Sequence, residues 1–239
     1  MQKGHNKLAA PNPAIASQLH VGRHWRGIGE PDRSLAEVLM RHPLQTLRDY
    51  YLDSFAESIE CARDRFDQFA TELLLELPSL KHPEYCYRLY RADIMGKRAG
   101  EPGVLEVNVT AKDVTAWQEV LPQHVSIAAP VVWNGIEFRV TDAKPSEAEL
   151  VAWTERWLDV PDSQYVEGQQ FQQVVHSVTP PRSAKSGYEF SVDFGSAPTT
   201  AFDELLAIIA RDSATVSVGS FSYVDSSSHG GRQRTKRCT

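Results

Sequence analysis

Cysteine is scarce in this sequence. Three residues, Cys61, Cys86 and Cys238, are an odd number set far apart, which speaks against a secreted disulfide framework. No CxxC or Cys/His spacing suggests a zinc site. Cys61 falls on the apolar side of a predicted helix and reads as a small buried hydrophobe. Long apolar runs are also missing: none approaches the roughly 20 residues a bilayer-spanning helix needs. The N-terminus offers just Leu8-Ala9-Ala10 before Pro11 and Pro13, too short and too broken for a signal-peptide core. The expectation is a cytoplasmic chain with no membrane contact.

Catalytic and nucleotide-binding signatures are absent as well. The sequence holds no GxGxxG or GxxxxGK[ST] loop, no GxSxG elbow and no HExxH helix, so the familiar phosphate cradles and hydrolase motifs are excluded. No cofactor is expected. His20 and His24 stand at i, i+4, but Gly22 between them, Gly27 beyond and the lack of a nearby acidic ligand argue against a helical metal pair. No metal site is expected either.

Charge is unevenly spread. Residues 1–103 carry 14 acids and 14 bases; residues 104–229 carry 17 acids and 7 bases, a net −10; the last ten residues carry four bases and no acid. An acidic domain repels phosphate backbones and attracts basic surfaces. The composition therefore speaks against a nucleic-acid partner and for a protein with a basic surface, although acidity also serves plain solubility.

The hydrophobic period changes near Gly96–Gly103. Before it, Leu44, Leu47, Tyr51, Phe55, Ile59, Ala62, Phe66, Phe69, Leu73 and Leu77 step by 3 or 4 residues. That spacing predicts a long N-terminal amphipathic helix or helical pair, ended by Pro78. Tyr85, Leu89 and Ala92 or Asp93 extend the helical reading; the interleaved Tyr85, Tyr87, Tyr90, Arg88 and Arg91 suit amphipathic packing and also single-stranded nucleic acid. The expected organisation is an irregular or disordered segment over 1–33, a helical region over 34–95, a linker over 96–103, an acidic α+β sheet domain over 104–225 and a disordered basic tail over 226–239.

After the linker the elements are short and alternate. Val104 to Val109 reads as a strand, Thr110 to Leu121 as a helix, and Val125 to Trp133 as an edge or bulged strand broken by Pro130. Asn134-Gly135 predicts a type I′ hairpin turn into a strand over Ile136–Val140. Ser146 and Glu149 form a capping box for a helix burying Leu150, Trp153, Trp157 and Leu158. Gln170–Thr179 and Tyr188–Phe194 read as paired strands, Thr199–Arg211 as a helix and Ala214–Phe221 as the last strand. The fold class is α+β: a mixed sheet in β-α-β-β-α-β-β-α-β order with helices on one face, partly ferredoxin-like from Ile136 to Phe221.

Two strands bring the best candidate chemistry together. His176 in one and Asp193 in the next form a conceivable acid–base pair; Asp193 equally suits bonding to the backbone amides of the turn after it. The junction Ser191–Pro198 has a glycine and small residues before a helix start, where an anion can bind. Trp133, Trp153 and Trp157 are candidate binding aromatics, and the spacing of the last two also fits docking onto a sheet. The leading functional reading is a protein-binding module, with a bacterial toxin-neutralising (immunity-type) protein as one instance. An enzyme using His176 and Asp193, and a structural or self-assembling protein built on the long helix, are the alternatives. Oligomeric state is left open.

Overall fold

A computed structural model describes residues 44–77, 85–112, 121, 123–128, 130–142, 144–163, 170–211, 213 and 215–221. All belong to the unit Arg41–Thr239; the other unit, Met1–Met40, lies outside the described residues. So do most of the helix expected over 110–121 and the basic tail.

Helix α1 (Gln45–Arg65) buries Leu47, Tyr51, Phe55, Ile59 and Ala62, the first part of the apolar stripe. Arg63 and Arg65 in its last turn complement the helix dipole. The rest of the stripe is not helical. Phe66 turns extended, and strand β1 (Gln68–Glu76) pairs antiparallel with β2 (Leu89–Arg98). The reason is arithmetic: Phe69, Leu73 and Leu77 are spaced by four, a multiple of the strand period of two as well as about one helical turn.

The aromatic and basic stretch also differs from the helical expectation. Tyr85–Arg88 makes one 3-10 turn, and β2 follows as a strand with Leu89, Arg91, Ala92, Asp93 and Ile94 all buried. Burial on both faces erases the alternation that marks a half-exposed strand. Residues 96–103, read from composition as a linker, form a β-hairpin. Gly96 pairs with Gly103 as β2 meets β3 (Glu101–Leu105). Ala99 and Gly100 make the turn with φ of 51° and 86°, as a type I′ turn requires. The Phe66 ring packs against both glycines, and a Cβ on Gly96 would lie 2.3 Å from Phe66 Cγ.

A larger mixed sheet has the order β4-β9-β5-β8-β6, with β7 added on β8. Its strands are β4 (Val125–Ile127), β5 (Ile136–Thr141), β6 (Ser177–Val178), β7 (Arg182–Ala184), β8 (Gly187–Asp193) and β9 (Val216–Gly219). The expected hairpin at Asn134-Gly135 is absent: Trp133–Gly135 is a 3-10 turn, Asn134 has φ of −87°, and β4 pairs parallel with β9 instead. Ser220 holds this turn by accepting from Val132 N–H and donating to Gly135 O. Helix α2 (Glu147–Trp157) begins at Ser146, whose hydroxyl accepts from Glu149 N–H as the capping box requires.

Helix α3 (Thr199–Ala210) buries Phe202, Leu205, Leu206 and Ile209. Phe138 of β5 stacks on Phe190 of β8 at 5.1 Å, and Phe202 packs against Phe138 at 5.9 Å. Trp153 of α2 meets Phe194 at 6.2 Å. These rings, each burying on the order of 150–250 Å², bind both helices to one sheet. The fold is α+β, with two sheets and three α-helices among the described residues.

Candidate functional site

His176 sits where the two sheets meet. Its N–H donates to Asp193 O at 2.8 Å, continuing the β6–β8 ladder, and its carbonyl accepts from Arg91 N–H of β2 at 2.7 Å. One residue is thus bonded through its backbone to both sheets. Its ring is 1% exposed and lies among three carboxylates. Nε2 is 2.8 Å from Glu72 Oε1. Nδ1 is 2.8 Å from Asp93 Oδ1, yet off the line of a hydrogen bond, so Nδ1 has no aligned partner among the described residues. Ligand atoms of Asp93, His176 and Asp193 lie within 4.8 Å of one another.

Glu72 and Asp93 reach this centre from facing positions of β1 and β2, between the register pairs Thr71–Ile94 and Leu73–Ala92. Glu72 has a left-handed φ of 52°, uncommon for a residue with a Cβ, and its side chain is fully buried. The backbone closes the cluster. Val107 N–H donates to Asp93 Oδ2 at 2.6 Å, Gln172 N–H donates to Glu72 Oε2, and Gly195 N–H donates to Asp193 Oδ1 at 2.9 Å. The Tyr51 hydroxyl of α1 donates to Asp93 Oδ1 at 2.8 Å. Phe55 meets the imidazole edge-on at 6.0 Å.

Burial alone would lower the imidazole pKa, but the Asp93 and Glu72 carboxylates, helped by Asp193, outweigh it and push His176 up to about 10. Burial pushes the Asp193 carboxyl up to about 7, against the pull of the imidazole and with the Asp93 charge adding to it. Burial would raise Asp93 too; the charge of the adjoining His176 ring and the bonds from Val107 N–H and Tyr51 hold it below the ordinary carboxylate value. Burial and the Asp193 and Asp93 charges raise Tyr51 well above the phenol value. Nearby cations spend their donors on carbonyls. Arg48 binds Ala197 O and Ser196 O. Arg91 binds Leu158 O, Glu72 O and Asp159 O, and pairs with Asp162.

The structure therefore brings His176 and Asp193 together, and adds Glu72, Asp93 and Tyr51, which sequence reasoning missed. Glu72 was hidden in the stripe read as helix. The available signal for Asp93 was a lone acid inside a buried apolar run. The anion-site expectation at Ser191–Pro198 is corrected: the Gly195 and Ala197 amides are taken by Asp193 Oδ1 and by Val174 O and Phe194 O.

The tryptophans are placed differently from a surface patch. Trp133 and Trp153 are 1% and 2% exposed, with indole N–H groups bonded to Gly195 O and Ala201 O. As core residues they offer no surface to a partner. Trp157 is half-buried and donates to Glu204, so it ties α2 to α3. Searches against protein-family models, characterised proteins and solved structures find no match for this chain.

Proposed function

We propose that this chain is a protein-binding module that acts through its surface, with the His176 cluster serving as an internal joint. The observation that carries this reading is the face of the three-stranded sheet bearing Ala70, Met95 and Val104. These residues are successive register partners and so share a face. Among the described residues, Leu73 and Val104 are the exposed large apolar side chains, at 40% and 47%. Gln68, Phe69, Leu73, Met95, Lys97 and Pro102 line a groove of about 380 Å³ beside them. A clustered apolar face of this kind suits a protein partner.

Charge favours a basic occupant. Glu101 and Glu106 are exposed at the two ends of β3, and residues 104–229 carry a net −10. The acidity of residues 104–229 as a whole, and not the groove lining, which includes Lys97, would speed association with a basic protein. A toxin-neutralising protein is one instance of such a module. The strand succession β9-β5-β8-β6, antiparallel at each step, supports reading Ile136–Phe221 as a ferredoxin-like unit, a frame that leaves function to the surface it carries.

The test is a photo-crosslinking side chain placed at Val104 of the full chain in native cells. One discrete, salt-sensitive adduct is expected there and none from the same side chain at exposed Glu155. No adduct at Val104, or the same adducts from both positions, would contradict the reading. An acid–base role for His176 and Asp193 is the second reading, favoured by their contact and their shifted pKa values. It requires a substrate to reach a ring that is 1% exposed.

A further inference from the structure

We propose that Asp93, His176 and Asp193 form a binding site for a divalent first-row transition-metal ion, with Glu72 orienting the histidine. The donor set is one imidazole nitrogen and two carboxylates, which suits zinc, cobalt or manganese and balances a charge of two. The ligand atoms lie within 4.8 Å of one another. Metal–ligand bonds of about 2.0–2.2 Å need them somewhat closer than that.

The imidazole points to a ligand independently of the acids. Its Nε2 lies 2.8 Å from Glu72 Oε1. This is the carboxylate–histidine arrangement that holds a ligating ring in one tautomer. In the metal-free protein the charged ring carries a proton on Nδ1 as well; a bound metal ion displaces that proton, while Nε2–H stays on Glu72 and the Nδ1 lone pair turns to the metal. Nδ1 is fully shielded, lacks an aligned hydrogen bond among the described residues, and faces Asp93 Oδ1 at 2.8 Å. The carboxylates are oriented in the same way, Asp93 by Val107 N–H and Asp193 by Gly195 N–H. Tyr51, which donates to Asp93 Oδ1, stands beside the site. No motif announced the site because its ligands come from β2, from the approach to β6 and from the end of β8.

The experiment is titration of the chelator-treated full chain with Zn²⁺ by calorimetry and with Co²⁺ by visible absorption. One equivalent is expected to bind, with a rise in melting temperature and cobalt bands of a protein-bound ion. Asp193→Asn should weaken binding at least tenfold, and Glu72→Gln by about 10–100-fold as an outer-shell partner. Asp193→Asn retains an oxygen for Gly195 N–H and is the variant expected to fold; His176→Gln should lose the site. No uptake by the parent chain, or uptake unchanged in folded Asp193→Asn, would overturn the proposal.

Discussion

Gly195 stands against the edge of the His176 ring: a Cβ built on Gly195 would lie 2.1 Å from His176 Cδ2 and 2.4 Å from Nε2. Gly195 also has φ of 49°, a left-handed conformation that a side chain disfavours by about 1–2 kcal/mol. Gly195→Ala must therefore displace a ring bonded to both sheets. It should destabilise the chain by more than about 3 kcal/mol, the strain and the overpacking together. Gly100→Ala is the control, with φ of 86° and nothing within 4 Å; it should cost just the backbone strain. Urea unfolding of the two variants checks the difference, and equal costs would refute it.

Tyr51→Phe removes the hydroxyl that donates to Asp93 Oδ1 at 2.8 Å and leaves the ring in place. A buried hydrogen bond to a charged group contributes about 1.5–3 kcal/mol. Chemical denaturation should find a loss in that range. A loss under about 0.5 kcal/mol, the scatter of surface substitutions, would mean that Asp93 does not depend on α1.

Arg91→Lys should be costly despite keeping the charge. The buried guanidinium spans Leu158 O, Glu72 O and Asp159 O, at 2.7 to 2.8 Å each. A lysine ammonium is a point donor and cannot span three carbonyls in that fork. Each carbonyl left unpaired costs about 1–3 kcal/mol. A melting temperature equal to the parent's would contradict the assignment.

Leu73→Asp and Val104→Asp separate surface from core. Both residues are well exposed, so each variant should unfold within about 0.5 kcal/mol of the parent. Leu73→Asp should abolish crosslinking from Val104. Unfolding free energies and adduct yield, measured on the same preparations, provide the check; a persisting adduct would remove this face from the account.

How far the sequence could be read depended on local period. The helix over Gln45–Arg65 and the capped helix after Ser146 were legible because their apolar positions and cap residues agree. Phe69–Leu77 was not, since a spacing of four fits a strand as well as a helix. The neighbourhood of His176 and Asp193 was legible from two punctuated segments, although the strand expected over Gln170–Thr179 is realised at Ser177–Val178 alone, with His176 just before it and Ser177 in register with Asp193. Glu72 was beyond reach. It approaches His176 from 104 residues away, and its left-handed φ has no signature in neighbouring residue types. Trp133 reads as a surface aromatic until Gly195 O is seen to satisfy its indole.

His176 joins the two sheets, through its backbone and through the carboxylates around its ring. Native-state hydrogen exchange of His176→Gln against the parent tests it most directly. Exchange should quicken in Leu89–Arg98 and in Gly187–Asp193 together, because β2 and β8 are the strands His176 bonds. Exchange that rises in one of these strands alone, or in neither, would contradict it.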